Sequence, residues 1–173
     1  GATPTHTYSN FGTYDVSLTV DGGSCGTDAQ TKPNYIDVDS NNPCVSIMPA
    51  DGVGPTVTDC DGILYDAGGP NGNYPDLSES YITIAPAGAT SITLNFTAFD
   101  VEVPEDGDNF CRYDYLEIFD GPDTSSPSLG VFCSQVTGSP GTITTSGGAV
   151  TFHLHSDQLV NELGFEAHWS CVV

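Results

Sequence analysis

Phe99-Asp-Val-Glu-Val-Pro-Glu-Asp-Gly-Asp-Asn-Phe-Cys-Arg-Tyr-Asp-Tyr-Leu-Glu-Ile-Phe-Asp120 is the stretch from which the fold is read. Two strand-like runs flank an acidic loop. The first closes at Glu102 and the second opens on Tyr113-Asp114-Tyr115. Carboxylates crowded into one short segment repel one another, and a bound cation relieves that repulsion. A later segment, Ser156-Asp157-Gln158-Leu159-Val160-Asn161, carries further oxygen ligands. The reading is an all-β sandwich with a calcium site at one end, used for binding.

Outward from this stretch the same pattern repeats. Gly, Pro, Asn, Asp and Ser interrupt the chain every ten residues or so, and no helical periodicity persists between them. Short alternating runs lie between the breaks. On the C-terminal side these are Leu129 to Cys133, Val150-Phe152-Leu154 and Phe165-Ala167-Trp169. On the N-terminal side they are Gly62 to Tyr65, Ser80 to Ile84, and Ile92-Leu94-Phe96-Ala98, whose period of two places one apolar face inward. Trp169 alternates in phase with Phe165 and Ala167, so it reads as core.

The 173 residues carry 23 acids against two strong bases, a formal charge of −21. Nucleic acid and anionic membrane both need Lys and Arg, so neither is an expected partner. No apolar run is long enough for membrane insertion. A basic protein surface offering Lys or Arg is the natural partner. Six cysteines at wide spacings, without a C-x-x-C pair, favour disulfides over buried thiols, and so a secreted, extracellular protein. No leader is evident, so a mature or excised product is expected. Cys25 and Cys44 read as a local staple.

Near the N-terminus, Thr5-His6-Thr7-Tyr8-Ser9-Asn10-Phe11-Gly12-Thr13-Tyr14-Asp15-Val16-Ser17-Leu18-Thr19-Val20 and Asn34-Tyr35-Ile36-Asp37-Val38 resemble the closing part of a PKD domain. The resemblance implies an Ig-like segment over residues 1–40 of which only the last strands are present. Two strands do not bury an apolar face alone. Self-association by inter-chain strand pairing, as in an extracellular fibre, is therefore a second reading. Residues 41–59, rich in Asn, Pro, Gly and Asp, read as a linker with Ile47 and Met48 as its anchors.

Residues 60–173 resemble a CUB domain. The motifs are Gly72-Asn73-Tyr74-Pro75, Phe96 to Glu102, Cys111-Arg112-Tyr113-Asp114-Tyr115-Leu116-Glu117-Ile118, Asp120-Gly121, Ser156-Asp157 and Gly164-Phe165. The resemblance implies a CUB-like jelly-roll β-sandwich preceded by the partial PKD-like segment. It also implies a Ca2+ site in which Glu102, Asp114 and Asp157 hold the metal and the Tyr74 hydroxyl orients a carboxylate. Asn161 and a carbonyl near Gln158 would complete the shell, while Asp106 and Asp108 fall outside the pattern. Cys111–Cys133 matches the family's second bridge. Ser80 stands where a cysteine is usual, which leaves Cys60 to pair with Cys171. The Asp61 to Tyr74 opening resembles bacterial versions of the module, and the PKD-plus-CUB order resembles the tails of secreted bacterial proteases.

A zinc reading of His153, His155 and His168 lacks H-E-x-x-H or a tight Cys/His cluster. A catalytic reading lacks G-x-S-x-G or a cysteine-nucleophile pattern. The expected role is a non-catalytic, calcium-binding extracellular module that mediates protein or glycan binding within a secreted bacterial multidomain protein. An accessory region of a secreted protease is the remaining alternative.

Overall fold

A computed structural model describes residues 12–38, 44–103 and 110–173. Two compact units divide after Pro43. His6, Asp106 and Asp108 lie outside the described residues. The first unit is an antiparallel hairpin of β1 (Gly12–Asp21) and β2 (Thr27–Val38) joined through a short 3-10 turn, Gly23–Cys25. Strand β2 begins eight residues before the expected Tyr35. Residues 27–34 are polar and unalternating, so only the ladder to β1 makes them a strand. That ladder slips between Tyr14 and Val16. Opposite the slip, Pro33 offers no N–H, and Asn34 turns to φ 50° with its N–H donating to Asp15 Oδ1 at 2.7 Å.

The second unit is a sandwich of two five-stranded sheets. One runs β10 (Thr142–Thr144), β7 (Ser91–Asp100), β12 (Gly164–Val172), β5 (Asp61–Tyr65), β3 (Val45–Ile47). The other runs β4 (Gly52–Val53), β6 (Glu79–Ile84), β11 (Val150–His155), β8 (Tyr115–Phe119), β9 (Ser128–Phe132). Alternate residues meet between the sheets. Ile92, Leu94, Phe165 and Trp169 face Ile82, Ile84, Leu116, Ile118 and Phe152, all buried. Each such side chain contributes about 2 kcal/mol by leaving water. Phe152 and Phe165 stack across the layer, 6.2 Å between centroids. Trp169 donates its indole N–H to the Asp59 carbonyl at 3.0 Å, which lets its ring enter the core without an orphaned donor.

The expected linker is corrected by the contacts of residues 44–57. Val45 to Ile47 pairs in parallel with β5, and Gly52-Val53 pairs in parallel with β6, so the segment joins both sheets at one edge. Met48 is buried, but Ile47 is half exposed, and Val57 takes the second anchoring position. Disulfides join Cys60 to Cys171 and Cys111 to Cys133. Cys25 and Cys44, read as a local staple, fall in different units, and each is an exposed free cysteine. Cys25 closes the turn of the hairpin, whereas the Cys44 carbonyl accepts from Ile63 N–H in the sandwich. Burial, then Asp59 and Asp61, pushes the Cys44 thiol up, away from the reactive thiolate.

On the outer face of the second sheet, Glu79 Oε2 lies 2.6 Å from His153 Nε2 and Oε1 lies 2.7 Å from His155 Nδ1. Tyr81 stacks on His153 and Tyr115 on His155. These contacts give the histidines structural partners. Partial burial opposes ionisation of Glu79, but the bonds to His153 and His155 outweigh it and hold the carboxyl below its ordinary 4.5.

Two outcomes follow from this packing. Replacing Cys60 and Cys171 together by Ser opens a link spanning 111 residues. Urea unfolding of that variant is expected to show about 2–5 kcal/mol less stability; an unchanged midpoint would refute the role of the bridge. Glu79, with a lowered folded pKa, contributes stability above the ordinary glutamate range and loses it as pH falls through the lowered value. Glu79→Gln is therefore expected to be less stable than the native chain at pH 7, with the gap closing as the pH falls below the ordinary glutamate range. Because Glu79 is half exposed, the gap stays below about 1 kcal/mol.

Candidate metal centre

Three loops cross between the sheets at one end of the sandwich: β5 to β6, β7 to β8, and β11 to β12. They carry Tyr74, then Glu102 and Asp114, then Asp157. One carboxylate oxygen from each of Glu102, Asp114 and Asp157 lies within 4.8 Å of the others. Glu102 is 6% exposed with Oε2 fully buried, and Asp114 is 2% exposed. Asp157 is half-buried.

Tyr74, fully buried, is the pivot of the cluster. Its hydroxyl donates to Asp114 Oδ2 at 2.7 Å and accepts the Glu102 N–H at 3.1 Å. Burial, reinforced by the bond to Asp114, pushes the phenol well above its usual range, so it remains a donor. Asp114 Oδ1 accepts the Asp157 N–H at 2.7 Å. Burial raises the Asp114 carboxyl, the Asp157 N–H and the Tyr74 hydroxyl oppose the rise, and the Asp157 charge adds to it. These two donors orient the Asp114 carboxylate within the cluster.

The surrounding loops are fastened to one another. Ser156 Oγ donates to the Pro75 carbonyl and accepts from Ser78 N–H, and Leu77 N–H donates to the Asp157 carbonyl. Asp66 is fully buried in the β5–β6 loop and accepts from the N–H groups of Gly68 and Phe165 at 2.8 Å. Gly164, at φ 73°, passes directly over that carboxylate, where a Cβ would collide with it. Asp66 is thus an acid whose work is to hold the β12 entry. Sequence reading passed over it, though it directly follows the β5 run.

The structure brings Glu102, Asp114, Asp157 and Tyr74 together. Asn161, an expected ligand, lies on the same β11–β12 loop as Asp157. The Asn161 side chain bridges Asn73, whose Nδ2 donates to Asn161 Oδ1 at 3.0 Å, and Asp76, which accepts from Asn161 Nδ2 at 2.8 Å. Gln158 is exposed in the same β11–β12 loop. Asn73 and Asp76 flank Tyr74-Pro75 and were not singled out in advance; the motif Gly72 to Pro75 was the available signal.

The donor set fits a hard cation. Three carboxylates offer up to six oxygens, within the six to eight that calcium takes, and nitrogen or sulfur donors do not enter the cluster among the described residues. Neutralisation by a divalent ion would offset both the mutual repulsion and the desolvation of Glu102 and Asp114.

Comparison with known proteins agrees with this architecture. Mouse Neuropilin-1 is 38% identical over 112 residues, which are 63% of this chain and 12% of that protein. The structure titled CUB1-EGF-CUB2 domain of human MASP-1/3 superposes with a TM-score of 0.59 at 28% identity, over 70% of this chain and 43% of that one. The MASP-1 CUB2 domain bound to Ca2+ superposes with a TM-score of 0.58 at 28% identity, over 69% of this chain and 99% of that one. The chain thus spans a small part of the Neuropilin-1 length. The CUB domain model matches residues 53–169, and by that match and this sandwich the chain belongs to the CUB domain family.

Proposed function

We propose that this CUB domain is a non-catalytic, calcium-binding extracellular module that docks a basic protein surface. The observation that carries the reading is the meeting of Glu102, Asp114 and Asp157 around the buried Tyr74 hydroxyl. CUB domains are extracellular protein-binding modules, which agrees with the two disulfides. The three acids would hold the ion, and Tyr74 would fix Asp114 against rotation. Calcium would supply charge neutralisation and a fixed geometry for the loop end. The remaining acids of a chain with charge −21 would draw a Lys or Arg of the partner toward that end.

A second reading concerns the hairpin. Strands β1 and β2 form a sheet of two, and Leu18, Val20 and Tyr35 are more than half exposed. This favours strand addition from another chain, and hence a structural subunit of an extracellular assembly. Light scattering checks it: a monomer at all concentrations removes the assembly reading. The PKD-like identity of the hairpin, a bacterial source and a place beside a secreted protease rest on the sequence resemblances alone. The relatives named above are animal proteins.

Calorimetric titration of the full chain is expected to show one calcium site, and Asp114→Ala is expected to abolish it. No heat up to millimolar calcium in the native chain would refute the site. Tyr74→Phe keeps the three carboxylates but removes the hydroxyl that aligns Asp114. Its calcium affinity is expected to fall about 10- to 100-fold. Saturating calcium is expected to raise the melting temperature of the native chain, and chelator to reverse it, because the ion binds the folded state. The Asp114→Ala variant is expected to lose that response.

A further inference from the structure

The outer face of the β10-β7-β12-β5-β3 sheet carries a groove that the metal centre does not use. Its volume is about 160 Å³, and Tyr65, Pro70, Ala98 and Leu163 form its apolar walls, with Asp100 and Glu166 at its polar positions. A register shift creates it. Glu166 pairs with Ala98, while the next residue, Ala167, pairs with Phe96, so Thr97 is an extra residue on β7. A bulge of this kind re-aims the side chains beside it. Beyond it, Phe99 turns inward against Phe96, and Ala98 and Asp100 share the outer face with Glu166.

Glu166 is built into position. Oε1 accepts from Thr97 Oγ1 at 2.6 Å and lies 2.8 Å from His168 Nε2, while Oε2 accepts from the Tyr65 hydroxyl at 3.0 Å. A carboxylate has about four acceptor positions, so Oε2 retains one more. Thr97 and then His168 hold the Glu166 carboxyl below its usual range; partial burial opposes them and Tyr65 assists. A charge is thus fixed at the edge of an apolar groove, with Asp100 as a diagonal neighbour and no Lys or Arg among the groove's residues.

We infer that this groove is a second cation-recognition site, one that takes a single Lys or Arg side chain of a protein partner without needing a metal. The aliphatic stem would lie along Tyr65, Leu163 and Pro70, as the stems of Lys and Arg do on apolar surface. The head group would meet Glu166 and Asp100 in charge-assisted bonds. The mixture selects for this ligand. An apolar side chain would strand two carboxylates, and an anion would be repelled. The inference is independent of calcium, and its failure would leave the metal reading untouched.

The test is an NMR titration of the isotopically labelled full chain with N-acetyl-lysine methylamide, in chelator and again in saturating calcium. The expected result is a saturable shift of the amides of residues 65, 98–100 and 163–166 under both conditions. The norleucine analogue, equal in stem but without the charge, is expected to shift them at least about tenfold more weakly. Ala98→Trp, which fills the groove, and the double change Asp100→Asn with Glu166→Gln, which keeps its shape, are each expected to weaken lysine binding by at least about tenfold. The double change decides the matter should the tryptophan disturb the fold. Shifts spread over the acidic surface without saturation, shifts confined to the loops of Glu102, Asp114 and Asp157, or a response unaltered by the double change would each overturn the inference.

Discussion

Three carboxylates held together within a protein repel one another, and two of them, Glu102 and Asp114, have also lost most of their contact with water. The Tyr74 hydroxyl is what lets the fold hold this arrangement, because it ties the Glu102 backbone to the Asp114 side chain through one buried oxygen. A phenol suits the position better than an amide or a second acid. It donates and accepts at one atom, brings a large apolar ring into the core, and stays neutral because burial keeps its proton in place. The centre is in this sense part of the hydrophobic core as well as a polar site.

The sandwich supplies the rest through its connections. Strands β5, β7 and β12 belong to one sheet, and β6, β8 and β11 to the other. Each of the three loops at this end therefore spans the thickness of the core, and their tips converge. Hydrogen bonds from Ser156 to Pro75, from Leu77 to Asp157 and from Phe165 to Asp66 lock the loops to one another independently of the acids that face the centre. Such preorganisation lowers the ordering cost of binding an ion, since the ligand-bearing backbone is already fixed. One bridge acts in the same direction and the other ties the far end of the sandwich. Cys111–Cys133 joins the chain just before Asp114 to the end of β9, and Cys60–Cys171 closes the opposite edge of β5 and β12.

Charge is distributed between structural and open roles. Asp66 and Glu79 are consumed by backbone donors and by histidines. Glu166 is held by three neighbours yet borders an open groove. Asn161 braces Asp76 and Asn73. Oxygen-bearing residues thus divide into those that meet in the acidic cluster, those that fasten loops, and those on the outer faces of the sheets. Residue type alone does not separate these roles.

Long alternating runs were legible in the sequence because burial of one sheet face imposes a period of two. Ile92-Leu94-Phe96 and Phe165-Ala167-Trp169 lie in the core as that period requires. Strands β3, β4 and β10 were not legible, since two or three residues cannot display a period, and they exist only through pairing with a neighbouring strand. The same holds for Thr27 to Asn34 of β2. The acids at 102, 114 and 157 were found through motifs, but their convergence depends on which strands lie beside which. The bulge at Thr97 and the hydrogen bonds of Asn161 belong to that second category. The sequence by itself determined an acidic, disulfide-bonded all-β chain with its inward faces marked, because these follow from composition and local periodicity. Tertiary structure alone decided which acids meet, which fasten loops and which line a groove, because those outcomes depend on contacts between residues far apart in the chain.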